Sequence, residues 1–331
     1  MQLLDTVLLF SLPASGKSEV RSFMSSLTEE ECKRDFGMGP TVQLDDYPYV
    51  HLMRCVDAEL TAMGREGVYF WGPDRPFRDL WSWAVLTELL NEDYARLHEQ
   101  RPYDSAQPVY LLLDRFDAAH KKFGMSPVIG KLPYQVVRHL AAALQTEATR
   151  ELALLNRTLS QGRQGCTVVL EAARGGPNGS AFPLTPPCGY ATAFDVLSPT
   201  ILERACVLYI WVDPAESRRK NIERGRPNAQ GSILHHCVPM EVMLSQYGTD
   251  DMEYLMQRSD RPGSIRIDRI VEQNHGYATQ AYYLRAARFD NRVDRTTFVR
   301  GSQAEWKPED VRALHNGLSQ TFAALRVGSA A

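Results

Sequence analysis

Residues 6–18 read TVLLFSLPASGKS, and this stretch decides the fold of the chain. Thr6 to Phe10 is a short, continuously apolar run, which is typical of a strand buried on both faces of a parallel sheet. Residues 11–18 then match the phosphate-binding pattern G-x-x-x-x-G-K-[ST], except that Ser11 stands at the first glycine position. The periodic apolar residues that follow predict a helix that begins at this turn.

Each position of this turn has a chemical task. Backbone N–H groups at the start of the helix can surround phosphate oxygens, and the helix N-terminus attracts negative charge. Lys17 can reach the β and γ phosphates of ATP, and Ser18 can ligate Mg²⁺. Ser11 fits the pattern if its φ stays negative, because positive φ is costly without glycine. The predicted nucleotide-binding residues of the turn are Pro13, Ala14, Ser15, Gly16, Lys17 and Ser18.

A chance Gly-Lys-Ser at the start of a helix is the alternative interpretation of this turn. The buried strand directly before it, the Pro-Ala-Ser-Gly turn and the periodic continuation through Val20, Phe23 and Leu27 argue against chance. We therefore expect a phosphate site here.

The composition indicates a globular protein with small-molecule partners. The 331 residues are 44% hydrophobic and 23% charged, which excludes a disordered or collagen-like chain. With 37 Lys and Arg against 40 Asp and Glu, the formal net charge of −3 lacks the basic excess of proteins that coat nucleic acid or anionic membranes. Nucleic acid is therefore a disfavoured partner.

The cysteines and the apolar runs predict a cytoplasmic protein that does not bind a membrane. None of the six cysteines forms a C-x-x-C pair or has the spacing of a zinc site, so we expect them to be reduced. No stretch approaches the ~20 apolar residues of a membrane span, and the first residues lack a basic region and a long apolar run.

The alternation of strand and helix patterns predicts an α/β fold, a mostly parallel sheet with helices on both faces. Segments 1–63 and 166–262 are predicted to form its core. Segment 64–165 is predicted to be a mostly helical insertion that supplies the acceptor or lid region, and 263–331 a C-terminal extension. Predicted strands are 6–10, 41–44, 109–114, 167–170 and 207–212; predicted helices are 49–63, 134–159, 198–205 and 308–325.

Carboxylates follow two of the predicted strands. Asp45 and Asp46 come after strand 41–44, and the carboxyl ends of strands in an open α/β sheet face the ligand crevice. Asp45 is the candidate base for an acceptor hydroxyl, with Asp46 as its alternative or a substrate contact; a polar turn is the competing interpretation. Glu171 is the candidate for holding Mg²⁺ through water or for contacting substrate, with a solvated acid as the equal alternative.

A basic helix is predicted after strand 207–212. Asp213, Pro214 and Glu216 resemble a capping box with proline in the first turn, and Gly225 ends the helix. Lys220 and Arg224 are four residues apart and share one face. They are predicted to close over phosphates as a lid; the alternative is a solvated basic face, which an Arg219–Glu223 pair would support.

These motifs resemble the successive motifs of P-loop kinases of the polynucleotide 5′-hydroxyl kinase type, over about half of the chain. The matching segments are SLPASGKS, LDDY, VDPAESRRKNIERG and HCVPMEVMLSQY. The resemblance implies a P-loop NTPase three-layer sandwich, with Asp45 as the general base and Arg224 stabilising the transferring phosphoryl group. Uridine-kinase-like enzymes and predicted small kinases share the looser plan, so kinase chemistry is implied more strongly than a substrate.

Two departures from this family's pattern bear on the substrate. Ser11 replaces the first glycine of the P-loop. Pro48 stands three residues after the predicted base, where the polynucleotide kinases carry an arginine that contacts a substrate phosphate. Arg54, about two helical turns beyond Tyr47, is a candidate replacement. Together with the charge balance, Pro48 disfavours a nucleic-acid 5′ end as the acceptor.

Other residues give weaker signals. Trp71, Trp81 and Trp83 suit core or interface packing better than stacking on a flat acceptor. His235 and His236 are expected in the lid or a loop rather than at a metal, and Asp114 is a weak candidate for substrate contact.

The leading hypothesis is an ATP- and Mg²⁺-dependent kinase that phosphorylates a hydroxyl of a nucleoside, nucleotide or sugar. One alternative is a nucleotide-dependent switch or binding module with slow hydrolysis. The other is a polynucleotide 5′-hydroxyl kinase, whose binding would depend strongly on salt.

Overall fold

The computed structural model describes residues 3–225, 237–273 and 276–326. The chain forms two compact units. Unit 1 comprises Met1–Val42, Gly165–Asp195 and Pro199–Ala331, and unit 2 comprises Gln43–Gln164 and Val196–Ser198. The predicted lid histidines His235 and His236 lie outside the described residues.

The elements follow one another in the order strand, helices, strand, four long helices, and then alternating strands and helices. They are β1 (Thr6–Phe10), α1 (Lys17–Ser25), α2 (Glu29–Glu31, continued by a π-helical turn Cys32–Phe36), β2 (Thr41–Asp45), α3 (Tyr47–Ala62), α4 (Ser82–His98), α5 (Pro108–Lys122), α6 (Tyr134–Ser160), β3 (Thr167–Ala172), α7 (Gly189–Val196), α8 (Pro199–Leu202), β4 (Ala205–Trp211), α9 (Pro214–Arg224), α10 (Met240–Gln246), α11 (Met252–Arg258), β5 (Ser264–Gln273), β6 (Gly276–Asp290) and α12 (Pro308–Arg326). None of the helices in the described residues has the length and apolar character needed to cross a membrane.

The protein is α/β, with a six-stranded, mostly parallel sheet flanked by helices, an arrangement compatible with a three-layer sandwich. The strand order is β2-β3-β1-β4-β6-β5. Strand β1 lies between β3 and β4 and is parallel to both, β6 is parallel to β4, and β5 is an antiparallel edge strand. All five residues of β1 are buried, as its apolar sequence predicts. The loop at the end of β1 therefore starts from the middle of the sheet.

One hydrophobic core fixes the helix that follows this loop. Val20 and Phe23 of α1 are buried in the same cluster as Val7 and Leu9 of β1. Helix α12 contributes the stripe Leu314, Leu318, Phe322 and Leu325, which are all fully buried. Because α1 shares this core with β1, its N-terminus is held at the carboxyl end of β1.

Most predicted elements are confirmed, and two predictions are wrong. Residues 109–114 do not form a strand; they open helix α5, where Pro108 occupies the first turn and Val109, Leu112 and Phe116 recur at helical spacing on the buried side. The capping box of α9 is also absent, because the Asp213 side chain makes no capping hydrogen bond and Glu216 instead accepts hydrogen bonds from Arg219.

The C-terminal segment holds two strands that the sequence analysis did not predict. Strand β6 lies directly beside β4, with Tyr209 level with Arg288, and β5 pairs with β6 as a long hairpin. Both strands belong to unit 1. Helix α3, which the sequence prediction groups with the core segment 1–63, belongs to unit 2, as do the last three residues of β2, 43–45.

Unit 2 is built from helices α3 to α6, around a buried arginine. The guanidinium of Arg115 donates to Asp93 at 2.8 Å and to the Tyr49 hydroxyl at 2.9 Å, and it lies 4.4 Å from the ring centroid of Tyr103. Tyr103 also donates to Asp93 at 2.9 Å. The carboxylate and the rings compensate the desolvation of this charge, so the network pins three helices together.

The same loop anchor occurs twice in unit 2. The Asp57 carboxylate of α3 accepts hydrogen bonds from the N–H groups 11, 12 and 13 residues further on, and the Asp117 carboxylate of α5 does the same. Each helix ends before a glycine with φ near +70°, Gly64 or Gly124. A shift of 60 residues aligns these features in the sequence: Pro48, Asp57, Gly64 and Val68 match Pro108, Asp117, Gly124 and Val128. Unit 2 therefore contains a repeated helix-and-loop motif.

We expect Asp57→Asn and Asp117→Asn each to lower the free energy of unfolding by about 2–4 kcal/mol. The asparagine amide would place an N–H donor where the carboxylate now accepts hydrogen bonds from backbone N–H groups. Urea denaturation followed by circular dichroism measures the loss. Asp114→Asn, at an exposed position of α5, is the control and is expected to change stability by less than about 0.5 kcal/mol. Equal stability of all three variants would show that the anchors do not support the fold.

Candidate functional site

The candidate site is the loop between β1 and α1, Ser11 to Lys17. Ser11 is fully buried, and its hydroxyl donates to the Ile210 carbonyl of β4 at 2.5 Å. Among the described residues, the non-glycine residues with positive φ are Ala14 and Gln100. Ser11 therefore takes the first glycine position without left-handed backbone, and it ties the loop to the neighbouring strand.

The loop has left-handed backbone on both sides of Ser15. Ala14 has φ of 57° and Gly16 has φ of 111°. A Cβ atom at Gly16 would lie 2.6 Å from Thr296 Oγ1 and 2.8 Å from Asn291 Nδ2, so only glycine fits. Alternation between right- and left-handed residues turns successive N–H groups to one side, an arrangement that can bind anions.

Two polar side chains of the loop are held inside the protein. Lys17 is 8% exposed, and its ammonium donates to the carbonyls of Ser11 at 3.0 Å and Leu12 at 3.3 Å. Ser15 is 1% exposed, and its hydroxyl has no hydrogen-bond partner among the described residues. A buried hydroxyl without a partner is costly. A phosphate oxygen in the loop is the kind of acceptor that would satisfy it.

Two residues that the sequence analysis did not identify donate hydrogen bonds to backbone carbonyls of the loop. Asn291, which follows β6 and is fully buried, donates from its amide to the Ser15 carbonyl at 2.6 Å. Ser217 of α9 donates to the Pro13 carbonyl at 2.7 Å. The sequence analysis did not identify these two residues. Strand β6, which precedes Asn291, was not predicted, and the helix that contains Ser217 was considered only for its basic residues.

The basic face of α9 is packed on the protein rather than solvated. Arg224 donates to both carboxylate oxygens of Glu19, at 2.8 and 2.9 Å, and Arg300 donates to one of them at 2.7 Å. Glu19 is fully buried on α1; burial raises its pKa, but Arg224 and Arg300 together hold the pKa below its ordinary value. The structure thus brings the predicted phosphate clamp next to the first turn of α1, bound to a carboxylate.

Lys220, the second predicted lid residue, is equally engaged. Its ammonium lies 2.9 Å from Asp294 Oδ1, in the loop after β6. Burial opposes ionisation, yet hydrogen bonds from Thr297 and Lys220 keep the pKa of Asp294 well below its ordinary value. The predicted Arg219–Glu223 ion pair is also present, at 2.5 Å. Helix α9 is therefore attached by ion pairs to α1 and to the loop after β6.

The predicted metal residues, Ser18 and Glu171, lie on neighbouring elements of unit 1. Glu171 of β3 accepts a hydrogen bond from Arg21 of α1, so its carboxylate is already paired and suits contact through water. Among the described residues, no group of three or more His, Cys, Asp or Glu side chains is arranged to hold a metal ion. Ser18, in the first turn of α1, would supply one oxygen, and phosphate and water would supply the others.

The remaining predicted residues lie in unit 2. Asp45 accepts the N–H of Tyr47 at 2.8 Å, and Asp46 is buried at the start of α3 without a side-chain capping bond. Arg54 donates to the carbonyls of Gly72 and Arg75, at 3.0 Å each, and stacks on the Phe70 ring. Arg54 thus holds a loop of its own unit.

The tryptophans of unit 2 differ in their surroundings. Trp83 is buried and packs edge-on against Phe77, with ring centroids 4.8 Å apart, which is the predicted packing role. Trp71 is 59% exposed and Trp81 is 39% exposed. Asp114 is exposed on α5.

A polar cluster at the carboxyl edge of β4 was also missed. The Tyr209 hydroxyl donates to Asp250 at 3.1 Å, and the buried Arg174, just after β3, donates its N–H to the Tyr190 hydroxyl at 3.3 Å. Asp250 follows the segment HCVPMEVMLSQY, which was noted only for its resemblance. An acidic pair at 250–251 after this segment was the available signal.

Comparison of the chain with known protein families, with curated proteins and with solved structures finds no match.

We expect the buried Glu19 to make stability depend on acid pH. Its folded-state pKa is lowered, so its contribution is fully present above its ordinary pKa of 4.5 and is lost as the pH falls through the folded value. Glu19→Gln should destabilise the protein by about 3–5 kcal/mol at pH 7, because two largely buried arginines lose their counter-charge. It should also flatten the decline in stability below pH 4.5.

Denaturation of both proteins at several pH values between 3 and 7 measures this dependence. Glu30→Gln, at an exposed position of α2, is the control. A Glu19→Gln variant with the wild-type pH dependence would contradict the assignment.

Proposed function

We propose that this chain is an ATP- and Mg²⁺-dependent phosphotransferase, a P-loop kinase that moves the γ-phosphate to a hydroxyl of a small molecule such as a nucleoside, nucleotide or sugar. One observation carries the proposal: the loop Ser11 to Lys17 combines left-handed turns, a buried lysine and a buried hydroxyl without a partner at a helix N-terminus. Each of these features suits the binding of phosphate oxygens.

The loop chemistry follows from these positions. On nucleotide binding, Lys17 would exchange the carbonyls of Ser11 and Leu12 for β and γ phosphate oxygens, which attract its charge more strongly. The N–H groups of the loop would hold the same oxygens. A magnesium ion held by Ser18 and the phosphates would neutralise part of the charge that develops during transfer.

The arginines around Glu19 would add positive charge beside this loop. Two guanidinium groups share one carboxylate, so the cluster of Glu19, Arg224 and Arg300 carries a net positive charge next to the first turn of α1. Arg224 would then act on the phosphates in one of two ways. It would attract them through this positive charge while still paired with Glu19, or it would contact them directly while Arg300 remained paired with Glu19. On this interpretation Arg224 keeps its predicted role of stabilising the transferring phosphoryl group, and Glu19 is its partner before it does so.

Lys17→Ala is expected to lower ATP affinity at least about hundredfold, because a buried cation that contacts phosphate contributes about 3 kcal/mol or more. Isothermal titration calorimetry with MgATP measures the affinity. Lys33→Ala removes a half-exposed lysine that is paired with Glu29, and it should bind MgATP like the wild type. An unchanged affinity of Lys17→Ala for MgATP would contradict the assignment of the loop as a phosphate site.

The acceptor is testable by the consumption of ATP. A kinase consumes ATP faster when its acceptor is present, so ATP depletion is measured with nucleosides, nucleotides, sugars and short oligonucleotides in turn. Stimulation by a small alcohol supports the proposal. Stimulation by a protein partner alone would favour a nucleotide-dependent switch.

The sequence hypothesis for the proton acceptor has its own test. If Asp45 is the base, Asp45→Asn should bind MgATP like the wild type and transfer phosphate about 10²–10⁴ times more slowly. If Asp45→Asn transferred phosphate at the wild-type rate, another carboxylate would have to accept the proton.

A further inference from the structure

Within unit 1, the carboxylate of Asp250 lies near enough to the candidate loop for the charge of Lys17 to act on it. Asp250 lies in the loop between α10 and α11 and is partly buried. The neighbouring Thr249 pairs with Gly176 in the loop after β3, with N–H to carbonyl distances of 2.9 and 3.2 Å in the two directions. This pairing fixes the Asp250 backbone against the exit of β3, the strand beside β1.

The side chain of Asp250 is oriented from two directions. The hydroxyl of Tyr209 lies 3.1 Å from both carboxylate oxygens, and the N–H of Met252 donates to Oδ1 at 3.0 Å. Tyr209 is level with Phe10, the last residue of β1 before the candidate loop. Asp250 is therefore held at the level where β1 enters the phosphate site, and the charge of Lys17 acts on it.

The groups around Asp250 set its ionisation. They are Tyr209 on β4, Lys17 on α1, Tyr190 on α7 and Asp251 in the same loop. Burial, with the charge of Asp251, raises the pKa of Asp250 to about 7, against the opposing effects of Met252, Tyr209 and Lys17. Burial also raises the pKa of Tyr209, so its hydroxyl remains a hydrogen-bond donor at neutral pH.

The neighbouring Asp251 has a different task. It is fully buried, and its carboxylate accepts the N–H groups of Tyr190 at 2.6 Å and Ala191 at 3.1 Å, at the start of α7. Both of its oxygens are thus occupied by helix N–H groups. Of the two adjacent acids, Asp250 is the residue that is not fully buried, and its pKa of about 7 suits proton transfer at neutral pH.

We propose that Asp250, oriented by Tyr209, is the catalytic base that accepts the proton of the acceptor hydroxyl. The inference rests on the proposed phosphotransferase function and assigns to Asp250 the role that the sequence gives to Asp45. The acceptor oxygen forms a bond to the γ-phosphorus of ATP while the bond from that phosphorus to the β–γ bridging oxygen breaks. The proton passes to the carboxylate of Asp250 and from there to solvent, and ADP leaves.

The test compares Asp250→Asn, Asp45→Asn and the wild type. MgATP is the donor, and the acceptors are water, read as released inorganic phosphate, and adenosine, glucose and a short oligonucleotide. Asp250→Asn should keep MgATP affinity within about threefold of the wild type and lower turnover about 10²–10⁴-fold. A loss of turnover in Asp45→Asn, with wild-type turnover in Asp250→Asn, would assign the base to Asp45 and overturn the proposal. Asp268→Asn, an exposed acid of β5 paired with Arg266, is the matched control and should behave as the wild type.

Tyr209→Phe separates a catalytic role from a structural one. Turnover requires ionised Asp250, so it should rise with pH through about 7 in the wild type. Loss of the Tyr209 hydroxyl removes a donor to the ionised form, so the pKa of Asp250 rises and the acid limb of the profile moves to higher pH. Turnover at alkaline pH should approach the wild-type value. A loss that is equal at every pH would overturn the orienting role.

A stability measurement reports the same titration without turnover. The folded-state pKa of Asp250 is raised above its ordinary 3.8, so the contribution of the protonated carboxyl is present at low pH and is lost as the pH rises through about 7. The wild type should therefore lose stability relative to Asp250→Asn between about pH 4 and 7. A constant difference over that range would overturn the assigned ionisation.

The outcomes separate the two proposals. Asp250→Asn with intact MgATP binding and wild-type turnover overturns the base assignment and leaves the phosphotransferase proposal standing. Absence of MgATP binding by the wild type, or binding without turnover against any of these acceptors, overturns the phosphotransferase proposal and the base assignment with it.

Discussion

The backbone of Ser15 is held by the amide of Asn291, and the candidate site of unit 1 depends on this contact. Asn291 follows β6 and donates to the Ser15 carbonyl, while Gly16 presses against Asn291 and Thr296 so closely that no side chain fits. The loop therefore keeps its left-handed turns without a ligand. The proposed phosphate would meet N–H groups whose orientation is already fixed, so its binding would cost little conformational entropy.

Charged side chains around the loop form ion pairs, and these pairs fix the positions of the residues proposed to act on phosphate. Glu19 binds Arg224 and Arg300, Asp294 binds Lys220, and Glu171 binds Arg21. Each unpaired member would be costly in the interior, so the partners constrain where α9 and the loop after β6 lie. Asp250 differs from these acids because its ligands are a hydroxyl and a backbone N–H rather than a cation. Burial raises the pKa of Asp250 to about 7, and among the described residues no paired cation offsets that effect as it does for the other acids.

Unit 2 shows a second way to fix a structure with few residues. Asp57 and Asp117 each accept hydrogen bonds from three successive N–H groups of the loop that follows their own helix, at identical spacing. The carboxylate replaces the hydrogen bonds that an irregular loop lacks. The spacing was readable as a shift of 60 residues in the sequence, but the shared pattern is sparse and lies inside ordinary helix signals. The helical start at Pro108 was missed for a related reason, since a short apolar run fits a strand and a buried helix equally well.

Local sequence determined the elements whose signals are complete over a few residues. The buried strand β1, the turn from Ser11 to Lys17, the 27-residue helix α6 and the C-terminal helix α12 were all predicted, because periodicity and turn chemistry act between near neighbours. Only the tertiary structure decided that Arg224 meets Glu19, that Asn291 supports Ser15 and that Tyr209 meets Asp250. These partners are 205, 276 and 41 residues apart in the chain. Contacts at such separations leave no local pattern, because what brings the partners together is the order of strands in the sheet.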